Sequence, residues 1–518
     1  MQLTSSNMVK LTIDNKEIQV REGTRLIDAA RDHGISIPSL CYKKELPHYT
    51  SCMLCIVKNK HTDKFIPSCS ARVEDGMNID ASGPEVIALR RDALSLLLTE
   101  HRAECEAPCK VVCPVGLNIP LMNRYIQKGD FSRASQLIYF EMGLPESLCA
   151  VCPKYCENAC RRKMIDTPVA ITAIKKIVTG STGPAPIISQ AEKSAKIAII
   201  GAGASGLTAA FNLAKYGHSC VVFEKSNRIG GTILSELSEK GFKAGLLDNE
   251  LNFLIASGID IRLNAAIDST GLEKDLIPEY DTVVNASGAI FESDKTQAID
   301  STIQFEGDTR KIGDKYLFNV GSVVKQDKQV IRRIGNAKKS VEVINNFLQS
   351  GKLIKVKKRF NSTIGKIEDG EKREWLKECP EVTHRFPEPE SKEQCIEEAF
   401  NCMHCDCHAI DGCQLRELAE SLDVGNPKMK LVNHPIEKKI NKTNKLIFEN
   451  SKCIKCGLCV RVSQDETNNP SLCFTGRGFV SRVTEPLTTD FDSILPDGAD
   501  SVINVCPTGA LAKKESRV

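Results

Sequence analysis

The sequence has no run of 18 or more apolar residues, so no segment reads as a membrane span. Its first residues, MQLTSSNMVKLTID, lack the charged start and apolar stretch of a secretory signal, and the expected compartment is the cytoplasm. Charge of one sign is also missing. With 69 basic and 66 acidic side chains the formal charge is +3, which argues against a nucleic-acid-binding role. One Trp and eight Tyr leave little for stacking platforms. No P-loop, HExxH or nucleophile motif occurs, so the chain carries little machinery for bond chemistry.

Cysteine is what the sequence has in excess: 23 in 518 residues. The length calls for three or more domains. Disulfide scaffolds are short and secreted, whereas so many thiols in a reducing cytosol mean metal ligands. The thiols gather at two ends. Between residues 161 and 401 only Cys220, Cys379 and Cys395 occur, so the middle is a domain of a different kind. Gly180 to Ser194 is small and polar, and Lys352 to Arg373 is rich in Lys and Glu; both read as linkers. The KLIKVKKRF run at 352–360 reads as solvated linker rather than a dock for an acidic partner.

KLTID and EIQV read as two short strands joined at Asn15, followed by a helix, RLIDAARDHG, stopping at Gly34. Cys41, Cys52, Cys55 and Cys69 follow at C-x10-C-x2-C-x13-C. That spacing is related to plant-type [2Fe–2S] ligation, with four-thiolate zinc as the alternative. Residues 8–80 resemble the [2Fe–2S] domain of the large iron–sulfur subunit of complex I and of related hydrogenases and formate dehydrogenases, which implies a ferredoxin-like β-grasp fold.

A helical stretch, 86–101, leads to His101, Cys105, Cys109 and Cys113-Pro114, and then to Cys149, Cys152-Pro153, Cys156 and Cys160. The signature CPVGLNIP…VCPKYCENACRRK…PVAI resembles the N-terminal domain of the glutamate synthase small subunit, which also begins dihydropyrimidine dehydrogenase. That resemblance implies two [4Fe–4S] clusters with interleaved ligands. One takes Cys105, Cys109 and Cys160, with His101 as fourth ligand or a surface histidine. The other takes Cys113, Cys152 and Cys156. Lys175 stands where the family places an oxygen ligand, and an ammonium cannot ligate iron; Cys149 either fills the gap or is a buried free thiol.

In the middle, Lys196–Ile200 reads as a strand, GAGASG (Gly201, Gly203, Gly206) as a turn into the helix LTAAFNLAKYG, and CVVFE as a second strand ending at Glu224. These glycines admit a pyrophosphate at the helix N-terminus, and Glu224 reaches a ribose. Gly230-Gly231 and YDTVVNASGA, with Ser287 and Gly288, resemble the FAD-binding lobe of the same flavoproteins. DKYLFNVGS, with Gly321 and Ser322, resembles the closing flavin element, although Asn319 stands where the family usually has Asp. No second GxGxxG exists, so the NAD(P)-binding lobe looks deleted. An empty Rossmann scaffold is the alternative to bound FAD.

Near the C-terminus, Cys402-x2-Cys405-x-Cys407-x5-Cys413 is compact enough for one [4Fe–4S] site, with zinc as the alternative because His404, Asp406 and His408 are interspersed. Cys453, Cys456 and Cys459 form a C-x2-C-x2-C run, with Cys506 in VCPTGAL as distant fourth ligand. With the intervening FTGRGF, they resemble a [4Fe–4S] domain of complex I's large subunit. No molybdopterin-type domain of the kind that follows in relatives is expected within this sequence. Cys395 reads as structural and Cys473 as a buried thiol.

The expected fold is multidomain α/β. A β-grasp [2Fe–2S] ferredoxin domain spans 1–82 and a helical domain with two [4Fe–4S] clusters 83–180. After a linker at 181–195, a Rossmann-like FAD-binding domain spans 196–351. A second linker, 352–392, precedes a small [4Fe–4S] module at 393–435 and a C-terminal ferredoxin-like [4Fe–4S] domain at 436–518. One [2Fe–2S] cluster, about four [4Fe–4S] clusters and FAD would make an electron-relay subunit of a cytoplasmic oxidoreductase, a composition that fits anaerobic metabolism. The resemblances imply partners such as an NADH-oxidising flavin subunit, a ferredoxin, or a hydrogenase, formate or aldehyde dehydrogenase subunit. A flavoenzyme that oxidises NAD(P)H or bifurcates electrons at its own FAD, and a zinc-binding scaffold, are the alternatives.

Overall fold

The computed structural model of the chain describes residues 7–183, 195–242, 245–288, 308–312, 315–324, 327–354, 359–379, 384–427, 435–467, 471–495 and 499–514. Most of the linker at 181–195 and part of the basic run at 352–360 lie outside them. The chain divides into two compact units, neither continuous in sequence. One comprises Met1–Ala107, Arg359–Glu378 and Cys405–Val518; the other comprises Pro108–Lys358 and Cys379–His404. The sequence suggests consecutive domains instead, because local patterns do not report where a chain leaves a unit and re-enters it. Among the described residues no helix is long and apolar enough to cross a membrane.

The first unit opens with a five-stranded sheet, order β2-β1-β5-β3-β4, from β1 (Met8–Ile13), β2 (Lys16–Arg21), β3 (Ile56–Asn59), β4 (Lys64–Pro67) and β5 (Asn78–Asp80). The β1–β2 turn sets both Asp14 and Asn15 at positive φ, the two-residue hairpin geometry these side chains tolerate. Alternation along β1 buries Val9, Leu11 and Ile13. They pack with Leu26, Ile27, Ala29 and Ala30 of α1 (Leu26–Asp32). Gly34, at φ +75°, stops that helix, and the Ile35 N–H returns to the Ala30 carbonyl. The long helix α2 (Pro84–Glu100) starts on Gly83-Pro84 and hands the chain to His101.

The second unit begins with helices. In α3 (Ile119–Gln127) the Asn118 side chain accepts the Leu121 N–H, and Asp130 caps α4 (Phe131–Met142) by accepting the Arg133 N–H. Helices α5 (Pro145–Val151) and α6 (Ile171–Ser181) pack on one another. A six-stranded sheet follows, order β10-β11-β9-β6-β7-β8. Its members are β6 (Lys196–Ile200), β7 (Ser219–Phe223), β8 (Asp260–Arg262), β9 (Thr282–Asn285), β10 (Asp308–Ile312) and β11 (Lys315–Asn319). All are parallel except β10, which pairs antiparallel with β11. The helix α7 (Ala204–Lys215) crosses from β6 to β7 and packs on α8 (Val330–Ser350), which ends at left-handed Gly351. Helix α9 (Lys392–Ala399), capped by Ser391, packs against α3 and α6.

Back in the first unit, α10 (Gln414–Ser421), β12 (Lys438–Ile440), β13 (Leu446–Glu449), α11 (Leu458–Thr467), β14 (Cys473–Thr475), β15 (Arg482–Thr484), α12 (Ala499–Val505) and β16 (Leu511–Lys513) complete the chain. The sheet order is β12-β13-β16, with β14-β15 a separate pair. One apolar core joins Leu94 and Leu98 of α2 to Leu415 of α10, Phe448 of β13, Leu458 of α11 and Val502 of α12. Cys41, Cys52, Cys105, Cys413, Cys456 and Cys459 belong to that same core.

Candidate thiol sets and nucleotide cradle

In the N-terminal loop, Cys41, Cys52, Cys55 and Cys69 are all buried. They stand as two neighbouring pairs, Cys41 beside Cys52 and Cys55 beside Cys69. The Cys52 side chain, with the Cys52 and Ser51 main chain, lowers the Cys41 thiol to about 5 against the opposing effect of burial. Thr50 and Met53, both at positive φ, turn the loop around the thiols, and the Leu40 N–H donates to Cys52 Sγ at 3.4 Å.

Elsewhere in the first unit, Cys453, Cys456, Cys459 and Cys506 are brought together: each of the first three feels Cys506, and Cys456 and Cys459 also feel Cys453. Burial pushes Cys453 up to about 12 and Cys459 well above its ordinary value. Left-handed Lys455 and Gly457 curl the loop, and the Lys455 N–H donates to Cys453 Sγ at 3.4 Å. Cys506 Sγ lies 3.7 Å from Thr508 Oγ1.

Cys105, Cys407 and Cys413 form a third set in the same unit. The Cys407 N–H donates to the Cys105 carbonyl at 3.0 Å. Cys105 Sγ accepts the Ser362 N–H at 3.3 Å, and Cys413 lies beside both other thiols. A Cβ at Gly509 would come within 2.2 Å of Cys407 Sγ, so only glycine admits that sulfur. His101 is 5% exposed, and its Nδ1 is 3.0 Å from the Lys452 carbonyl. A carbonyl only accepts, so Nδ1 carries a proton, as in a histidine that ligates metal through Nε2. Lys452, buried beside Cys407, pairs with Glu449; Lys438 lies 3.6 Å from Glu449 and also pairs with Glu378, which meets His408 Nε2 at 3.1 Å.

In the second unit the buried Lys175 of α6 has Cys149, Cys156, Cys113 and Cys152 around it. Burial alone would lower this ammonium; the four thiols raise it above its ordinary value, Cys149 most. Cys149 sits on α5, and Glu250 seats that helix by accepting the N–H groups of Glu146 and Ser147 and the Ser147 hydroxyl. Burial raises Glu250 to about 8, above the roughly 4.3 of an unfolded glutamate. A raised acid favours folding in its protonated form, so stability is full below about pH 4.3 and falls as the pH rises towards about 8. Glu250→Gln is expected to remove that decline, read as melting temperature of the full chain between pH 5 and 8.5. In the same unit Cys402 lies beside Cys160 and near Asn123. Cys109 is buried near the start of the unit.

The run from Cys402 to Cys413 is shared between the two units. Cys402 keeps company with Cys160, whereas Cys407 and Cys413 keep company with Cys105, because the chain passes from one unit to the other between His404 and Cys405. His404 Nε2 turns to Gln127 at 3.1 Å and His408 Nε2 to Glu378, while Asp406 is 5% exposed. Cys405 and Cys473 are half-buried, the latter on β14 where full burial is expected from sequence. Burial raises Cys395 to about 11 and Cys220 to about 12. Among the described residues no three His, Cys, Asp or Glu side chains close around a single metal-ion position. Clusters spread their thiolates over several irons, so their ligands need not converge on a point.

The nucleotide cradle lies at the carboxyl ends of β6, β7 and β9. Gly201 and Gly203 form the turn into α7, and a Cβ at Gly206 would sit 1.9 Å from the Gly201 carbonyl oxygen, so only glycine lets helix and strand approach. Gly203 bridges to Gly230, and Gly231 faces the Gly203 backbone. A Cβ at Gly321, beside Ser322, would lie 2.0 Å from Ser205 Oγ. Glu224, at the end of β7, accepts the Ala202 N–H at 2.7 Å with one oxygen and the Ser226 N–H and hydroxyl with the other. Its carboxylate thus stands at the mouth of the glycine turn. On β9, the Asn285 side chain accepts the Ser287 N–H and hydroxyl, and its amide donates to Asn319 at 2.8 Å; left-handed Gly288 follows. Between β9 and β10 lie residues 286–307, shorter than the roughly 30 residues of a βαβ unit.

Four family models match the chain. Residues 6–83 match a 2Fe-2S iron-sulfur cluster binding domain. Residues 99–183 match the dihydropyrimidine dehydrogenase domain II with its 4Fe-4S cluster, and 444–512 the ferredoxin-like domain of NADH-quinone oxidoreductase subunit 3. The chain carries iron–sulfur domains at both ends. Between them, residues 199–264 match an NAD(P)-binding Rossmann-like domain. Among curated relatives, the NADPH-Fe(3+) oxidoreductase subunit beta of Geobacter sulfurreducens is 30% identical over 189 residues, 35% of this chain and 28% of that one. The glutamate synthase [NADPH] small chain of Bacillus subtilis is 28% identical, covering 34% of this chain and 37% of its own length. The NADP(+)-dependent formate dehydrogenase subunit beta of Moorella thermoacetica is 30% identical, covering 35% and 29%. The chain thus spans well under half the length of these relatives. An NAD+-reducing [NiFe]-hydrogenase chain aligns over 98% of this chain and 88% of its own, with TM-score 0.35 and 11% identity.

Proposed function

We propose that the chain is an electron-relay subunit of a cytoplasmic oxidoreductase, with the β-grasp [2Fe–2S] domain and the C-terminal domain as its two docking ends. The observation that carries this reading is the sorting of buried thiols into separate sets beside positive charge, with little bond-making machinery in the sequence. The two pairs Cys41/Cys52 and Cys55/Cys69 suit a [2Fe–2S] cluster, which needs two thiolates on each iron, better than one zinc ion. Cys453, Cys456, Cys459 and Cys506 would hold one [4Fe–4S] cluster. His101 with Cys105, Cys407 and Cys413 would hold a second, and Cys113, Cys149, Cys152 and Cys156 a third. Cys109, Cys160 and Cys402 would supply three ligands of a fourth.

Clusters bound at these sets would pass electrons one at a time, and their potentials respond to nearby charge and hydrogen bonds. The chain's own part is to bury the ligands and set that charge. Lys175 and Lys452 each place an ammonium beside a thiol set. The glycine cradle fits a dinucleotide, and FAD held there would take two electrons and release them singly. Glu224 favours an unmodified ribose over a 2′-phosphate. The segment 286–307 between β9 and β10 is shorter than a βαβ unit, which supports a missing nicotinamide lobe. The parallel Rossmann-like sheet itself favours the second reading, a site that takes NAD(P)H directly. Anaerobic addition of NADH or NADPH separates the two. A relay stays oxidised until dithionite is added, whereas visible bleaching within turnover times would replace it with a flavoenzyme.

A further inference from the structure

Arg461 lies two residues beyond Cys459 on α11 and is 3% exposed. Its guanidinium reaches two cysteine loops more than four hundred residues apart in sequence. Nη2 donates to the Cys41 carbonyl at 3.0 Å and to the Cys456 carbonyl at 3.1 Å. Nη1 donates to the Pro47 carbonyl, and Nε to the Gly457 carbonyl at 3.1 Å. The Tyr49 ring covers the outer face, its centroid 4.9 Å from Cζ. Cys41 and Cys456 also lie near enough to influence one another electrostatically.

We infer that Arg461 is a positioning residue that joins the Cys41 and Cys456 cluster sites, providing the bonded route between them and one positive charge that both share. This rests on the iron–sulfur reading above. The route is short: Cys41 main chain, carbonyl, one guanidinium nitrogen, carbonyl, Cys456 main chain. Along it, the electron given up at one site is the electron taken up at the other, and no proton moves. Arginine suits the task because its planar fork holds several donors at fixed angles and stays charged. A lysine ammonium is a point charge that cannot hold the same four carbonyls in one plane. The charge favours the reduced, more negative state of both sites, so it raises both potentials together.

The test uses the full chain with iron and sulfide loaded anaerobically, wild type beside Arg461→Gln and Arg461→Lys. Midpoint potentials of the [2Fe–2S] and [4Fe–4S] signals are read by EPR-monitored dithionite titration, and electron exchange between them by rapid-freeze after a substoichiometric pulse of dithionite. Arg461→Gln is expected to lower both potentials together and slow exchange at least tenfold. Arg461→Lys is expected to keep the potentials closer to wild type while exchange still slows at least tenfold. If iron is lost from Arg461→Gln, the Lys variant decides alone. Unchanged exchange in a fully loaded Lys variant, or a potential shift at only one centre in the Gln variant, overturns the inference. Absence of sulfide from the wild-type chain would instead remove the iron–sulfur reading, which the metal analysis detects before any variant is compared.

Discussion

Replacing Cys402 and Cys407 by serine, one at a time, is expected to abolish two different centres. Each variant should lose about four irons, and the two lost EPR signals should differ. The reason is placement: Cys402 stands beside Cys160 and Asn123 in one unit, and Cys407 beside Cys105 and Cys413 in the other. Cys160→Ser should therefore reproduce the Cys402→Ser spectrum, and Cys105→Ser that of Cys407→Ser. Iron content with EPR of the reduced protein checks this. Loss of the same signal in Cys402→Ser and Cys407→Ser would restore a single compact site for the whole run.

Glu449→Ala is expected to cost about 3–5 kcal/mol of stability, the price of leaving buried charge uncompensated. Glu449 is 5% exposed and lies between Lys452 and Lys438, themselves 5% and 3% exposed. Those lysines hold its carboxyl below the usual range against the opposing effect of burial, and Glu378 meets Lys438 from the other side. Without Glu449, Lys452 keeps its position beside Cys407 with its nearest carboxylate gone. Glu449→Gln, which keeps the shape, should cost most of the same amount. Glu449→Met combined with Lys452→Met should recover much of it, since well-packed apolar residues replace a buried pair at little cost. Denaturant unfolding of the four proteins at one metal loading measures the effect; a loss below 1 kcal/mol in Glu449→Ala would show that the charges are solvated.

Much of this arrangement is legible in the residues. Alternation at Val9, Leu11 and Ile13 with a turn at Asn15 specifies the first hairpin, and GAGASG between an apolar strand and an apolar helix specifies the cradle. The run Cys453, Cys456, Cys459 points to its own loop, and the structure gathers it with Cys506. What spacing does not report is company across long stretches of chain. Cys105 meets Cys407 and Cys413 only because the chain leaves the first unit after Ala107 and returns to it for good at Cys405. The Cys402–Cys413 run is compact in sequence, yet its cysteines belong to two units for that reason. Lys175 reads as a misfit in sequence, an ammonium where an oxygen ligand belongs; in the fold it is a buried cation among four thiols. Arg461 carries no sequence signal beyond lying two residues after a cysteine, because its carbonyl partners at Cys41 and Pro47 are set by tertiary packing.

Whether the cysteines hold iron–sulfur clusters is decided by iron, acid-labile sulfide and zinc per chain in protein purified without oxygen. One [2Fe–2S] and four [4Fe–4S] clusters predict about 18 irons and about 18 sulfides per chain, with zinc near zero. Stoichiometric zinc without sulfide would instead make the chain a metal-stabilised scaffold.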